Sequence, residues 1–521
     1  MTLGSFNQSN PPQSGSRLNA EPKTPTSLGA LRDQATAGDP LAALSLGLAL
    51  AVGGPDWERD PKEAFHYLTI AATADLPEAK YNLGVCYAQG LGTAKDPKKA
   101  ADLFEAAALT EIPPAQHNLA LCYLDGLGRP VDLPLAIYWF KKAVKNNDPE
   151  AQWRLAELIA AGRGLPVEPL EVTRLLTLAA SQGLIQAQLA LGGLYDQGLL
   201  VAKDPGLAFY WFLQAANQGS PEAQVNVAFA YHWGLGTPKD RALAFAYFRQ
   251  AALAGLATAQ KALGSCYARG LGVTADPLKA GEWFKKAALN GHPGACFDLA
   301  VCYEKGIGLP KDLSEALVWY HRAAHLGDCR AQAILGHLLA QGLVGQPHDP
   351  AKAVFWYAKS AKADYPPAQF ALGAHYALGL GLDQDLTRAV HWFRKAAIQD
   401  LAEAQYALGY CYQNGQGVSP DPSQALEWIS KAALAEYPPA QLEMGFCYEE
   451  GYGGLDRDPP KAMFWYERAA QNGHPVAQTI LAYHLEAGTI LRRDPVAAKL
   501  WLEKAVDQGL EKARDLLASL K

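Results

Sequence analysis

The run Ala259-Gln260-Lys261-Ala262-Leu263-Gly264-Ser265-Cys266-Tyr267-Ala268-Arg269-Gly270, followed by Leu271-Gly272 and by Asp276-Pro277, decides the fold. Ala259, Leu263, Gly264 and Tyr267 stand at i, i+4, i+5 and i+8. That spacing is one face of a helix with a 3.6-residue period. Small Gly264 lets a neighbouring helix come close. Gly270 supplies the left-handed residue that stops the helix. Asp276 and Pro277 are an N-cap and a first helical residue, so they start a second helix. That helix carries Ala280, Trp283, Ala287 and Ala288 at i, i+3, i+7 and i+8, again one face.

The same pattern fills the chain. The equivalent of Ala259 recurs at Ala42, Ala79, Ala115, Ala151, Ala187, Ala223, Ala295, Ala331, Ala368, Ala404, Ala440 and Ala477, at intervals of 36 or 37 residues. All thirteen anchors are followed eleven residues later by Gly, from Gly53 to Gly488. The acid that opens the second helix is Asp in twelve repeats and Glu168 in the other, and Pro follows it in nine. Nine of the twelve Trp occupy the aromatic slot of the second helix. One helix pair is too small to bury its own apolar face, so neighbours must stack into a quasi-one-dimensional core.

Three segments follow: a disordered tail over 1–29, tandem repeats over 30–509 and a capping helix over 510–521. Residues 27–37 read as a lone second helix, and Glu511, Lys512, Arg514 and Asp515 give the final helix a polar face. One-residue insertions after anchors 42, 331 and 440 fall in the loop between the two helices, where length costs little.

With 49% hydrophobic and 19% charged residues, the 521-residue chain can bury a large core. A net charge of −6 points to no nucleic-acid partner. Residues 1–29 contain no apolar run that could serve as a signal-peptide core, and no stretch approaches the length of a membrane span. The expectation is a cytoplasmic protein without direct membrane insertion, with export by a route that needs no such peptide left open.

The repeats resemble Sel1-like repeats, relatives of the tetratricopeptide repeat. The resemblance rests on Ala-x-x-x-Leu-Gly-x-x-Tyr-x-x-Gly-x-Gly and Asp-x-x-x-Ala-x-x-Trp-x-x-x-Ala-Ala-x-x-Gly, as seen from Ala259 to Gly291, and covers about residues 37–517. A plain tetratricopeptide repeat has a shorter period and turn. The repeat at 151 departs, with Ile159 for Tyr, Val172 for Ala and Leu175 for Trp, and those at 42 and 477 are weaker. The resemblance implies an all-α, right-handed α/α superhelix (solenoid) of about thirteen Sel1-like helix-turn-helix repeats. It also implies a non-catalytic scaffold or adaptor for a protein partner or peptide, bound along the concave face. Two alternatives come with it. One is a β-lactam-binding or hydrolysing protein like the cysteine-rich relatives; the other is an exported host-interaction factor.

Chemistry-bearing motifs give no enzyme, cofactor or metal. Six of the eight Cys (Cys86, Cys122, Cys266, Cys302, Cys411, Cys447) share one slot of the first helix. Equivalent slots of packed helices stand about 8–10 Å apart, beyond the roughly 7 Å that a disulfide spans, so these are buried fillers. His321 and His325 have the i, i+4 spacing of paired metal ligands but lack a third. The Gly-x-Gly loops join two helices and are no phosphate loops.

If the first helix lines the concave wall, as the resemblance implies, its outward slots lie about 2, 3, 6, 9 and 10 residues after each anchor. They hold His117, Asn118, Trp153, Asn226, Phe229, His232, Trp233, Phe297, Phe370, Tyr406, Tyr410 and Phe446. Exposed aromatics are common hot-spot material, and Asn can hydrogen-bond an extended peptide. Two patches are expected, one over the repeats at 115–295 and one over those at 368–440.

Overall fold

The computed structural model describes residues 28–54 and 57–519, with side chains to 518. The expected tail therefore lies, up to residue 27, outside the described residues. Among the described residues there are 28 α-helices, a 3₁₀ turn at Tyr452–Gly454 and no strand beyond an isolated bridge between Gly54 and Trp57. They form two compact parts, Met1–Lys239 and Asp240–Lys521. Each is a stack of helix pairs. The first helix of every pair is called helix A and the second helix B.

Helix A runs, for example, Ala257–Arg269 and helix B Pro277–Leu289, each of 13 residues or about 20 Å. Their ends are set by the residues that the sequence marks. Every one of the twelve Asp caps accepts a backbone hydrogen bond from the first turn, as Asp276 does from Lys279 at 3.1 Å. Glu168 makes no such bond. Glu is one methylene longer than Asp, one of the short side chains that favour this position. Eleven of the thirteen stop glycines are left-handed C-caps. Gly53 has a positive φ but an extended ψ, and Gly162 follows a helix that already ends at Ala160.

Packing within a pair depends on the small residue five after the anchor. A Cβ on Gly264 would stand 2.7 Å from the Phe284 ring, and one on Gly373 2.7 Å from Phe393. The deep aromatic is thus the residue after the Trp slot. Phe284, Phe393 and Tyr466 are buried, whereas Trp283 and Trp392 are only half-buried. The open side of those Trp rings carries a cation three residues on, with Lys286 at 4.2 Å from Trp283 and Lys504 at 4.1 Å from Trp501. Between pairs, the second Gly of the loop does similar work. Gly308 has φ +71, and a Cβ there would lie 1.9 Å from the carbonyl oxygen of Pro277 in the preceding helix B.

A polar ladder also crosses the repeats. Gln follows the anchor in ten of the thirteen repeats and is buried in each. Gln116 Nε2 donates to Ala108 O at 3.2 Å, at the end of the previous helix B, and its Oε1 accepts from Asn146 Nδ2 at 3.1 Å, just past its own helix B. Eight such Gln donate to the carbonyl eight residues earlier. In seven repeats an Asn or Gln in the following turn returns a bond to the Gln oxygen. Each buried amide so satisfied ties three consecutive helices together. At the ends stand Leu28–Thr36, a lone helix B, and Glu511–Ser519, a lone helix A.

Candidate partner-binding face

The slot two residues after the anchor is where structure and sequence diverge most. His117 packs edge-on to Phe140 at 5.7 Å, Phe297 on Tyr320 at 5.7 Å, and Phe370 on Phe393 at 5.7 Å. Each partner ring is the deep aromatic of the same repeat's helix B. The slot lies about 60° around the helix from the small residue that this aromatic covers, so it borders the core. Tyr406 is half-buried and meets Tyr437 at 5.6 Å. His117 is buried, at 5% exposure. The slots six and ten after the anchor point away from the core. Trp233 is 64% exposed, Tyr410 45%, Phe229 42% and Phe446 37%. Asn118, Asn226 and His232 are intermediate.

Two of the sequence-derived residues, His117 and Trp153, come together in the N-terminal part. His117, Glu150, Trp153, Arg154, Leu184 and Gln186 line a pocket of about 190 Å³, and Asn118 stands next to His117 on the same helix. The pocket draws on helix A of three consecutive repeats. His117 Nδ1 lies 3.9 Å from Asp148 and Nε2 3.8 Å from Glu150. Both exceed hydrogen-bond length, and Nδ1 has no hydrogen-bond partner. Burial, aided by Arg154, holds the imidazole pKa down to about 3, so it is neutral. Burial also pushes Asp148 up to about 6, against the bond that it accepts from Ala151 N, and raises Glu150. The Arg154 guanidinium stacks 4.3 Å from the Trp153 ring centre and bonds Glu157 at 3.0 Å.

In the C-terminal part, Arg330 lies 4.0 Å over the Phe297 ring and pairs with Asp328 at 2.8 Å. Asp298 faces both Arg330 and Lys261, at 3.8 and 3.6 Å. Gln413 donates a 2.9 Å hydrogen bond to Glu443 between the adjacent repeats at 404 and 440, each residue three positions along its helix from Tyr410 and Phe446 respectively.

Chemistry for catalysis is not assembled by these residues. All eight Cys are free, and the six in the shared slot are buried. Burial pushes Cys86, Cys122, Cys266, Cys302 and Cys411 up to about 11, away from a reactive thiolate. His325 Nδ1 meets the His321 carbonyl at 2.7 Å, and among the described residues no three His, Cys, Asp or Glu converge on a metal position. No described helix is long and apolar enough to cross a membrane.

Two features escape a reading confined to helix A. Phe355 and Phe464, on helix B, are 52% and 51% exposed; both immediately precede a slot Trp, which is visible in the sequence. In the repeat at 151, Ile159 and Leu165 line a cleft of about 370 Å³ with Lys141, Lys145 and Arg174. Ile159 stands there in place of the usual Tyr, the departure that the sequence marks.

A Sel1 repeat model matches thirteen segments in succession, from 40–76, 77–109 and 113–148 through to 438–474 and 475–510. Among solved structures, c5321, a protective antigen present in uropathogenic Escherichia coli strains and displaying an SLR fold, is 32% identical. The match covers 88% of this chain and 97% of that one, with a TM-score of 0.65. A Sel1 repeat protein from Oxalobacter formigenes is also 32% identical over 61% of this chain and 94% of its own, with a TM-score of 0.45. No curated protein matches the chain.

Proposed function

The chain belongs to the Sel1 repeat family, and from that premise we propose that it is a non-catalytic scaffold that binds a protein partner or peptide along its helix A face. We take that face as the concave wall of the repeats. The observation that carries the reading is the contrast between slots. The framework positions repeat and are spent on folding, whereas the outward positions differ from repeat to repeat and leave Trp233, Tyr410 and Phe446 substantially exposed. Large rings presented on a rigid helix are the usual anchors of a protein interface. Phe229, Asn226 and His232 belong to the same face in the N-terminal part, and Phe297, Phe370 and Tyr406 border it in the C-terminal part.

Capture of a partner from the native source, identified by mass spectrometry, tests the reading. Trp233→Ala should weaken capture by tenfold or more, since a buried interfacial Trp contributes about 2 kcal/mol or more. Its melting temperature should match the parent's. Undiminished capture by Trp233→Ala, Tyr410→Ala and Phe446→Ala together would contradict it. The β-lactam alternative needs an activated nucleophile, and the high thiol pKa values speak against one here; nitrocefin turnover would revive it.

A second reading, an exported factor that meets another cell, is favoured by the relative described as a protective antigen of uropathogenic strains. Fractionation of the source cells separates it from the cytoplasmic scaffold we favour.

A further inference from the structure

We propose that the pocket formed by His117, Glu150, Trp153, Arg154, Leu184 and Gln186 receives one basic side chain, lysine or arginine, of the partner. The proposal rests on the scaffold reading and specifies what one part of that face recognises.

Size comes first. The cavity holds about 190 Å³, below the roughly 300–1,000 Å³ of small-molecule and cofactor sites. It has room for one long side chain.

Charge comes next. The pocket wall carries one carboxylate, Glu150, and one guanidinium, Arg154, and that guanidinium is already bonded to Glu157 at 3.0 Å. Asp148 spends one oxygen on the helix cap at Ala151. Among the described residues the Glu150 carboxylate has no hydrogen bond or Lys/Arg ion pair, and His117 Nε2 stands 3.8 Å from it, beyond hydrogen-bond length. A neutral imidazole cannot balance either carboxylate. With Arg154 committed to Glu157, the half-exposed Glu150 carboxylate is the charge on the pocket wall that no cation among the described residues pairs within 4 Å.

Unmet hydrogen bonding points the same way. His117 is buried with Nδ1 unpartnered, a cost that native proteins ordinarily avoid. A cation entering here meets the uncommitted Glu150 carboxylate beside an uncharged imidazole that does not repel it. The indole of Trp153, the best of the aromatic partners for a cation, stands on the same wall, with Arg154 4.3 Å from its ring centre. An acidic side chain would instead meet the uncommitted Glu150 carboxylate. An apolar one would seal that carboxylate in unsatisfied.

The test uses the full chain and immobilised twelve-residue Gly/Ser peptides with two Tyr, differing only at the central position. Lys and Arg peptides should bind about tenfold more tightly than the norleucine peptide, as a charge-assisted hydrogen bond implies. Glu150→Gln should abolish that preference. Glu222→Gln, which removes an exposed acid in another repeat, should retain it, and melting curves should show all three proteins folded. Peptide binding without a Lys/Arg preference, or a preference that survives in Glu150→Gln, would overturn this inference while leaving the scaffold reading in place. No binding to any peptide would count against both.

Discussion

Asn472 donates a 3.0 Å hydrogen bond to the buried carboxamide of Gln441, whose own amide reaches back 3.3 Å to Ala433 O at the end of the previous helix B. This relay recurs along both parts, and its gaps are informative. Two buried Gln oxygens lack a partner, those of Gln332 and Gln405. Thirty residues after each, where other repeats place Asn or Gln, stand Lys362 and Ala435.

Restoring the missing donor should therefore stabilise the chain. Ala435 is exposed and has φ −78 and ψ 15, close to Asn290 at φ −78 and ψ 12, so Asn fits the backbone. Ala435→Asn should slow amide exchange in helices Ala402–Asn414 and Pro422–Leu434 by about 1 kcal/mol. Unchanged exchange would mean that the relay adds nothing.

Cap length gives an independent test. Twelve Asp caps are bonded and Glu168 is not. Glu168→Asp should supply the missing bond to helix Pro169–Ser181 and protect its first turn by about 0.5–1 kcal/mol. Amide exchange at Val172 and Thr173 reads the effect directly.

His117 makes stability depend on pH in a definite direction. Its folded pKa, about 3, lies below the ordinary 6.5, so the unfolded chain binds the extra proton between those values. Stability from the neutral imidazole is present above pH 6.5 and is lost as the pH falls. Asp148, raised to about 6 from 3.8, acts oppositely over pH 3.8–6, with stability lost as the pH rises. His117→Phe isolates the first effect, because Phe fills the same slot at Phe297 and Phe370. Between pH 7.5 and 5, the parent should lose about 2 kcal/mol more local stability than the variant. Exchange in helix Pro113–Asp125 is the readout, and equal losses would mean that His117 is charged in the fold.

Much of the fold is legible because its determinants are local. A Gly stop, an Asp cap and a small residue at the fifth step each act within one or two turns. The deep position beside the Trp slot is less visible, since Phe, Tyr, Ile and Leu all serve there. The Gln relay is present in the sequence as plain recurrence, yet a polar residue beside the anchor reads as surface until its carbonyl partner in the previous repeat is known. For the candidate face, single-helix geometry places the sixth and tenth slots correctly. It misjudges the second, where His117, Phe297 and Phe370 lean on helix B. The convergence of His117 with Glu150 and Trp153 depends on the stacking of repeats, which no spacing within one repeat encodes.

The most direct measurement sets the two faces against each other with a captured partner. One variant carries Trp233→Ala, Tyr410→Ala and Phe446→Ala on helix A. The other carries Phe355→Ala and Phe464→Ala, comparably exposed rings on helix B. The expected result is a loss of about a hundredfold or more in affinity for the helix A variant, equivalent to roughly 3 kcal/mol, with parental affinity for the helix B variant and unchanged melting for both. Loss confined to the helix B variant would contradict the assignment of binding to helix A.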